Sequence, residues 1–148
     1  MKIRKIIKLL CCISFPCCIS FSSCDPPLPH YDKCIWRIEN NTNKSIIFNI
    51  VVGQNIEPIH IAAGEFTTIQ TKYFLIEDGE PFGDVLENKD SIIIMLNDQV
   101  KKTWRKTDSD KSGRHFYNQS SWSFDRTRRK THSENYIFTF TIEDEDLN

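Results

Sequence analysis

The sequence predicts an all-β domain built as a two-sheet antiparallel β-sandwich of about seven or eight strands. Three observations predict it. Apolar residues recur with a period of two in most of the runs between Cys34 and Ile142, the signature of strands with one buried face. Those runs are rich in Val, Ile, Thr, Phe, Tyr and Trp, which suit a pleated, half-buried surface. Turn clusters separate them every ten or so residues, and no segment holds a helical period of 3.6 for three turns.

Taken in order, Cys34, Trp36 and Ile38 alternate with Ile35, Arg37 and Glu39, and Ile46, Phe48, Ile50 and Val52 alternate with Ser45, Ile47, Asn49 and Val51. The polar cluster Glu39 to Lys44 between them reads as a turn, so these two runs are expected to form a hairpin. Ala62-Ala63-Gly64-Glu65 is expected to be a second tight connection, joining Ile59–Ile61 to Phe66–Ile69. Ser91 to Leu96 is almost continuously apolar, as in a central strand covered on both faces. Asn97-Asp98-Gln99 turns it into Val100–Trp104, and Ser121–Arg128 and Tyr136–Ile142 complete the set, the last with Tyr136, Phe138, Phe140 and Ile142 on one face. Residues 77–90 and 107–120 read as irregular, the first with room for one helical turn near Val85. Strands of this number and spacing point to two packed sheets of immunoglobulin- or transthyretin-like kind.

Upstream of the strands the chain reads as an address. Lys2, Arg4, Lys5 and Lys8 are followed by a 13-residue apolar run, Leu9 to Phe21, and then by Ser22-Ser23-Cys24. This is the layout of a secretory signal, too short for the roughly 20 apolar residues of a membrane span. Residues 1–23 are therefore expected to be removed, 24–33 to form a proline-rich linker, and 34–148 to form the folded domain. Of the six cysteines, Cys11, Cys12, Cys17 and Cys18 lie in the removable part, leaving Cys24 and Cys34. That is no disulfide framework, so the domain must rest on its apolar core, with Cys34 packing as a small hydrophobe. Without residues 1–23 the chain holds 15 Lys and Arg against 20 Asp and Glu, a net −5.

Ser-Ser-Cys behind an apolar run resembles the lipobox of bacterial lipoproteins, in which lipid is carried on the cysteine thiol; Phe21 stands where Leu is usual. Four further features extend the resemblance: the first strand leading into Asn40-Asn41-Thr42, the Ala63-Gly64-Glu65 turn, Asp90-Ser91-Ile92-Ile93-Ile94, and the closing Tyr136 to Leu147. Together they are similar to the small lipoproteins abundant in Bacteroidota. The resemblance implies lipidation at Cys24 by a palmitate-type acyl chain, a cell-envelope location on the periplasmic or surface face of the outer membrane, and a β-rich domain. It supplies no catalytic residue. Surface-directed members often carry several acids after the cysteine, whereas here only Asp25 precedes the prolines. Asp90-Ser91-Ile92 also matches the short O-glycosylation signal of that group.

Candidate chemistry is sparse. His30, His60, His115 and His132 lack zinc spacing, and there is no Gly-x-Ser-x-Gly, phosphate-binding glycine loop or His-Glu-x-x-His. Asp108-Ser109-Asp110-Lys111-Ser112-Gly113 resembles half of a calcium loop, but Gln119 stands where the closing Glu would be. No metal or other cofactor is expected. Between Lys101 and His132, ten Lys and Arg face three acids, while Ser133 to Asn148 carries −5. Trp104, Trp122, Arg126, Arg128 and Arg129 in this segment are the candidate ligand-binding residues, for an anionic glycan or lipid headgroups. A solvated strand edge, with the aromatics in the core, is the simpler account. A negative mature charge argues against nucleic acid as a partner. The expected function is a membrane-anchored, non-catalytic binding or scaffolding module whose partner is an envelope protein or glycan. A glycan-recognition module and a small hydrolase built around His60 or His115 are the alternatives.

Overall fold

The computed structural model describes residues 31–75, 82–83, 86–108, 113–128 and 134–148. The leader, Cys24, the linker up to His30, Val85, Arg129 and His132 lie outside the described residues. Eight strands are present: β1 (Asp32–Asn40), β2 (Ile46–Val52), β3 (Asn55–Ile61), β4 (Phe66–Phe74), β5 (Ser91–Leu96), β6 (Gln99–Arg105), β7 (Ser123–Arg128) and β8 (Glu134–Ile142). They form two four-stranded sheets, ordered β4-β1-β8-β7 and β3-β2-β5-β6. The chain is a β-sandwich, as its period-two pattern predicts, and β1 opens at Asp32, two residues earlier than the alternation indicates.

Two expectations about pairing are corrected. The runs on either side of Asn40–Lys44 do not form a hairpin: β1 belongs to one sheet and β2 to the other. Their apolar rows, Cys34-Trp36-Ile38 and Ile46-Phe48-Ile50, are both buried in the common core, which side-by-side pairing would not require. The sheets are also not purely antiparallel, since β1 pairs with β8 in parallel, Trp36 opposite Phe138 and Ile38 opposite Phe140. The Ala62–Glu65 connection is tight as expected, with Gly64 at a φ of 71°, but it too passes between sheets.

Asn40 holds these crossings together. It is fully buried. Its Nδ2 donates to the carbonyls of Lys44 (2.8 Å), Ile61 (3.1 Å) and Ala62 (3.0 Å), and its Oδ1 accepts from the Thr42 hydroxyl (2.8 Å) and backbone N–H (3.2 Å). One side chain thus ties together the backbone of two inter-sheet connections.

The β5–β6 connection is the hairpin read from Asn97-Asp98. Both residues have positive φ, 51° and 61°, as a two-residue turn matched to strand twist requires. The core between the sheets is aromatic. Phe116, from the segment between β6 and β7, inserts among Phe48 (5.7 Å between ring centroids), Trp104 (6.3 Å), Phe140 (5.2 Å) and Trp122 (4.9 Å).

The two outer faces differ. On the β4-β1-β8-β7 sheet the outward rows are mostly polar, including Thr68, Thr71, Arg37, Glu39, Thr139 and Thr141, with Ile35, Ile137, Phe66 and Tyr73 among them. On the β3-β2-β5-β6 sheet the outward registers Ile47–Met95–Val100 and Ile56–Val51–Ser91, with Ile93 between them, are largely apolar. Ser91 to Leu96 is therefore covered by the core on one face only among the described residues, not on both. Ile92, Ile94 and Leu96 are buried and Ile93 and Met95 only half-buried.

Candidate functional site

The structure gathers polar chemistry at the side of the sandwich bounded by β6 and β7, where residues 106–122 cross between the sheets. The segment is held at both ends. Gly113 takes a positive φ of 74°, and the Asn118 side chain accepts from Ser120 N–H (3.1 Å) at the start of a 3₁₀ turn, Gln119–Ser121.

Trp104 and Trp122 do not form a surface platform. They are 2% and 6% exposed, and the Trp122 indole donates to the Phe116 carbonyl at 2.7 Å. Trp104 faces inward on β6, and Trp122, between the 3₁₀ turn and β7, turns its ring into the same core. The exposed aromatic of this region is Phe124, 51% exposed on β7 and stacked 6.0 Å from Tyr136.

The basic excess of residues 101–132 is partly neutralised in space by the acidic residues that follow it. Arg114 lies 3.1 Å from the buried Asp146 carboxylate and 3.9 Å from Glu145. Arg126 pairs with Glu134, which also accepts the Tyr136 hydroxyl at 2.8 Å. Burial, followed by the bond to Glu134, raises the Tyr136 phenol to about 12. The same carboxylate holds the Arg126 guanidinium above its ordinary value. Beside them Asp32 is fully buried; its Oδ1 accepts Glu134 N–H at 2.7 Å, and its Oδ2 has no hydrogen-bond partner. Arg128 stands opposite Glu134 in the β7–β8 register. Arg129 lies outside the described residues.

His115 is buried next to Asp108. Its Nε2 is 3.0 Å from Asp108 Oδ2, while its Nδ1 accepts Tyr117 N–H at 3.2 Å. That second bond makes Nε2 the protonated nitrogen and leaves neither nitrogen to take a proton from a substrate. Asp108 also accepts Arg105 N–H at 2.7 Å. That bond, then the one to His115, holds its carboxyl below the usual range. These contacts make Asp108 a turn anchor, and residues 109–112 of the calcium-like run lie outside the described residues. His60 is exposed on β3, in the sheet opposite β8.

A shallow groove of about 320 Å³ adjoins this cluster, lined in part by Phe82, Leu86, Glu87, Lys106, Tyr117 and Gln119. Its size is at the lower end for small-molecule sites. Tyr117 donates to the Lys89 carbonyl at 3.0 Å, and burial raises its phenol well above the usual range, so it stays protonated. Lys106 Nζ donates to the Glu87 carbonyl at 2.5 Å. The groove thus offers apolar walls with a cation and a carboxylate among its lining residues. Sequence reasoning did not single out these residues, because no motif links positions 82, 106 and 117. Among the described residues, no three or more His, Cys, Asp or Glu side chains gather as a metal site. Cys34 is fully buried on β1.

Comparison with protein-family models, curated proteins and solved structures finds no match to this chain.

Proposed function

We propose that the protein is a lipid-tethered envelope module that binds or scaffolds without catalysing a reaction. The observation that carries this reading is the sequence layout: four cations, an apolar run and Ser22-Ser23-Cys24, with the first strand opening only eight residues later at Asp32. Eight residues reach at most about 28 Å, so an acylated Cys24 would keep the β-sandwich close to the membrane. The occupied nitrogens of His115 support a structural role for the most enzyme-like pair of residues. The test is the intact mass and fractionation of the full-length protein. Wild type is expected in the membrane fraction with its amino terminus at a diacylated Cys24, and Cys24→Ala is expected to leave the leader uncut. An unmodified amino terminus on the wild-type protein overturns the reading.

A second reading, recognition of an acidic glycan at the β7 edge, is favoured by one observation. Phe124 and Arg126 are both exposed on that edge. Glycan-array binding that survives Phe124→Ala combined with Arg126→Ala removes it.

A further inference from the structure

The outer face of the β3-β2-β5-β6 sheet is unlike a solvated surface. A sheet with one wet face alternates apolar and polar residues, whereas strands covered on both faces read as continuous apolar runs. Ile46-Ile47-Phe48-Asn49-Ile50-Val51-Val52, broken only by Asn49, and Ser91-Ile92-Ile93-Ile94-Met95-Leu96 are close to the second kind. Their inward residues meet the core. Their outward residues are Ile47, Asn49, Val51, Ser91, Ile93 and Met95; Asn49 is buried, and the apolar ones form one surface with Ile56 and Val100, which are 62% and 59% exposed, with His60, Thr103 and Arg105 at its margins. No described residue packs over this surface as a further layer, and the opposite sheet shows what a watered face looks like in the same molecule. Along one rim run Lys101 and Arg105 of β6, a strand without an acidic residue.

We propose that this face docks onto the lipid bilayer, with its apolar centre against the acyl boundary and the β6 cations at the headgroups. The proposal rests on the lipid tether of the preceding section. Two quantities choose the bilayer over a second copy of the chain. Four strands about 4.8 Å apart and six or seven residues long give a footprint of about 420 Å², well below the roughly 800 Å² per partner of a stable protein interface. A surface that small binds weakly on its own. A tether of at most about 28 Å turns that weak contact into an intramolecular one at high effective concentration. The backbone there is already hydrogen-bonded within the sheet, so lipid contact strands few polar groups. The basic rim favours an anionic leaflet.

The test uses the acylated full-length protein in phosphatidylethanolamine–phosphatidylglycerol vesicles. A nitroxide is attached at Val100→Cys and, in a second protein, at Thr71→Cys on the polar outer face. At position 100, accessibility to oxygen is expected to rise severalfold over accessibility to an aqueous nickel complex, while position 71 stays aqueous. Adding Ile56→Glu is expected to return position 100 towards the aqueous value. If position 100 remains as nickel-accessible as position 71 on a chain whose mass shows the acyl groups, docking is overturned and the tether stands. A chain without acyl groups overturns both. Spin–spin broadening at position 100 without lipid immersion assigns the face to a second copy and also overturns the proposal.

Discussion

Asn40 is the side chain on which most backbone depends. Replacing it with Ala removes the side-chain donor to the buried Ile61 carbonyl and the acceptor of Thr42 N–H, while the Lys44 carbonyl keeps the Thr42 hydroxyl and the Ala62 carbonyl keeps Glu65 N–H. Unpaired buried groups cost about 1–3 kcal/mol each where relaxation and water cannot rescue them. Asn40→Ala is therefore expected to lower stability by about 3 kcal/mol, read as a lower urea midpoint with an unchanged slope. Tyr136 gives a prediction in alkali. Its folded value of about 12 lies above the ordinary phenol value of 10, so the unfolded chain loses this proton first. The associated stability is complete below about pH 10 and is lost as the pH rises towards 12. Tyr136→Phe is expected to flatten unfolding curves in that window, and ultraviolet phenolate titration of the folded protein should show a late-titrating tyrosine that the variant lacks. Neither residue was legible as special beforehand. Asn40 reads as one more polar residue in a turn cluster, and the run read as starting at Tyr136 left out Glu134, two residues earlier on the same face.

Strands were more legible than their partners. Alternation depends on neighbours in the chain, so Trp36, Phe48 and Phe140 could be placed on one face of their strands from their spacing alone. Pairing depends on where a turn aims the next strand. A polar cluster such as Asn40–Lys44 looks the same whether it closes a hairpin or crosses between sheets. The β5–β6 turn was readable because Asn97-Asp98 has a chemical signature, tolerance of positive φ. Asp98→Gly is expected to stabilise the hairpin by about 0.5–1 kcal/mol, since glycine adopts a φ of 61° without a side-chain penalty. Thermal unfolding should show an upward shift, and Asp98→Val a downward one. The candidate site was the least legible. The Arg126, Trp122 and Trp104 cluster looked like a recognition face because the sequence interleaves core and surface groups, and only the fold sends the indoles inward and delivers Glu134 to Arg126.

At the scale of the molecule, Phe116 joins the layers, touching Phe48 and Trp104 of one sheet and Phe140 of the other. Phe116→Ala is expected to cost about 3–5 kcal/mol, an amount comparable to the whole stability of a small domain. Circular dichroism should then show loss of the cooperative transition rather than a modest shift. Phe116→Leu should retain a single, earlier transition. The parallel seam between β1 and β8 carries a consequence for how the chain matures. It joins positions about a hundred residues apart, Asp32 to Glu134 among them, and places both strands in the middle of their sheet. A nascent polypeptide lacking β8 therefore cannot close the β4-β1-β8-β7 sheet, whose two halves meet only once residues 134–142 have been made.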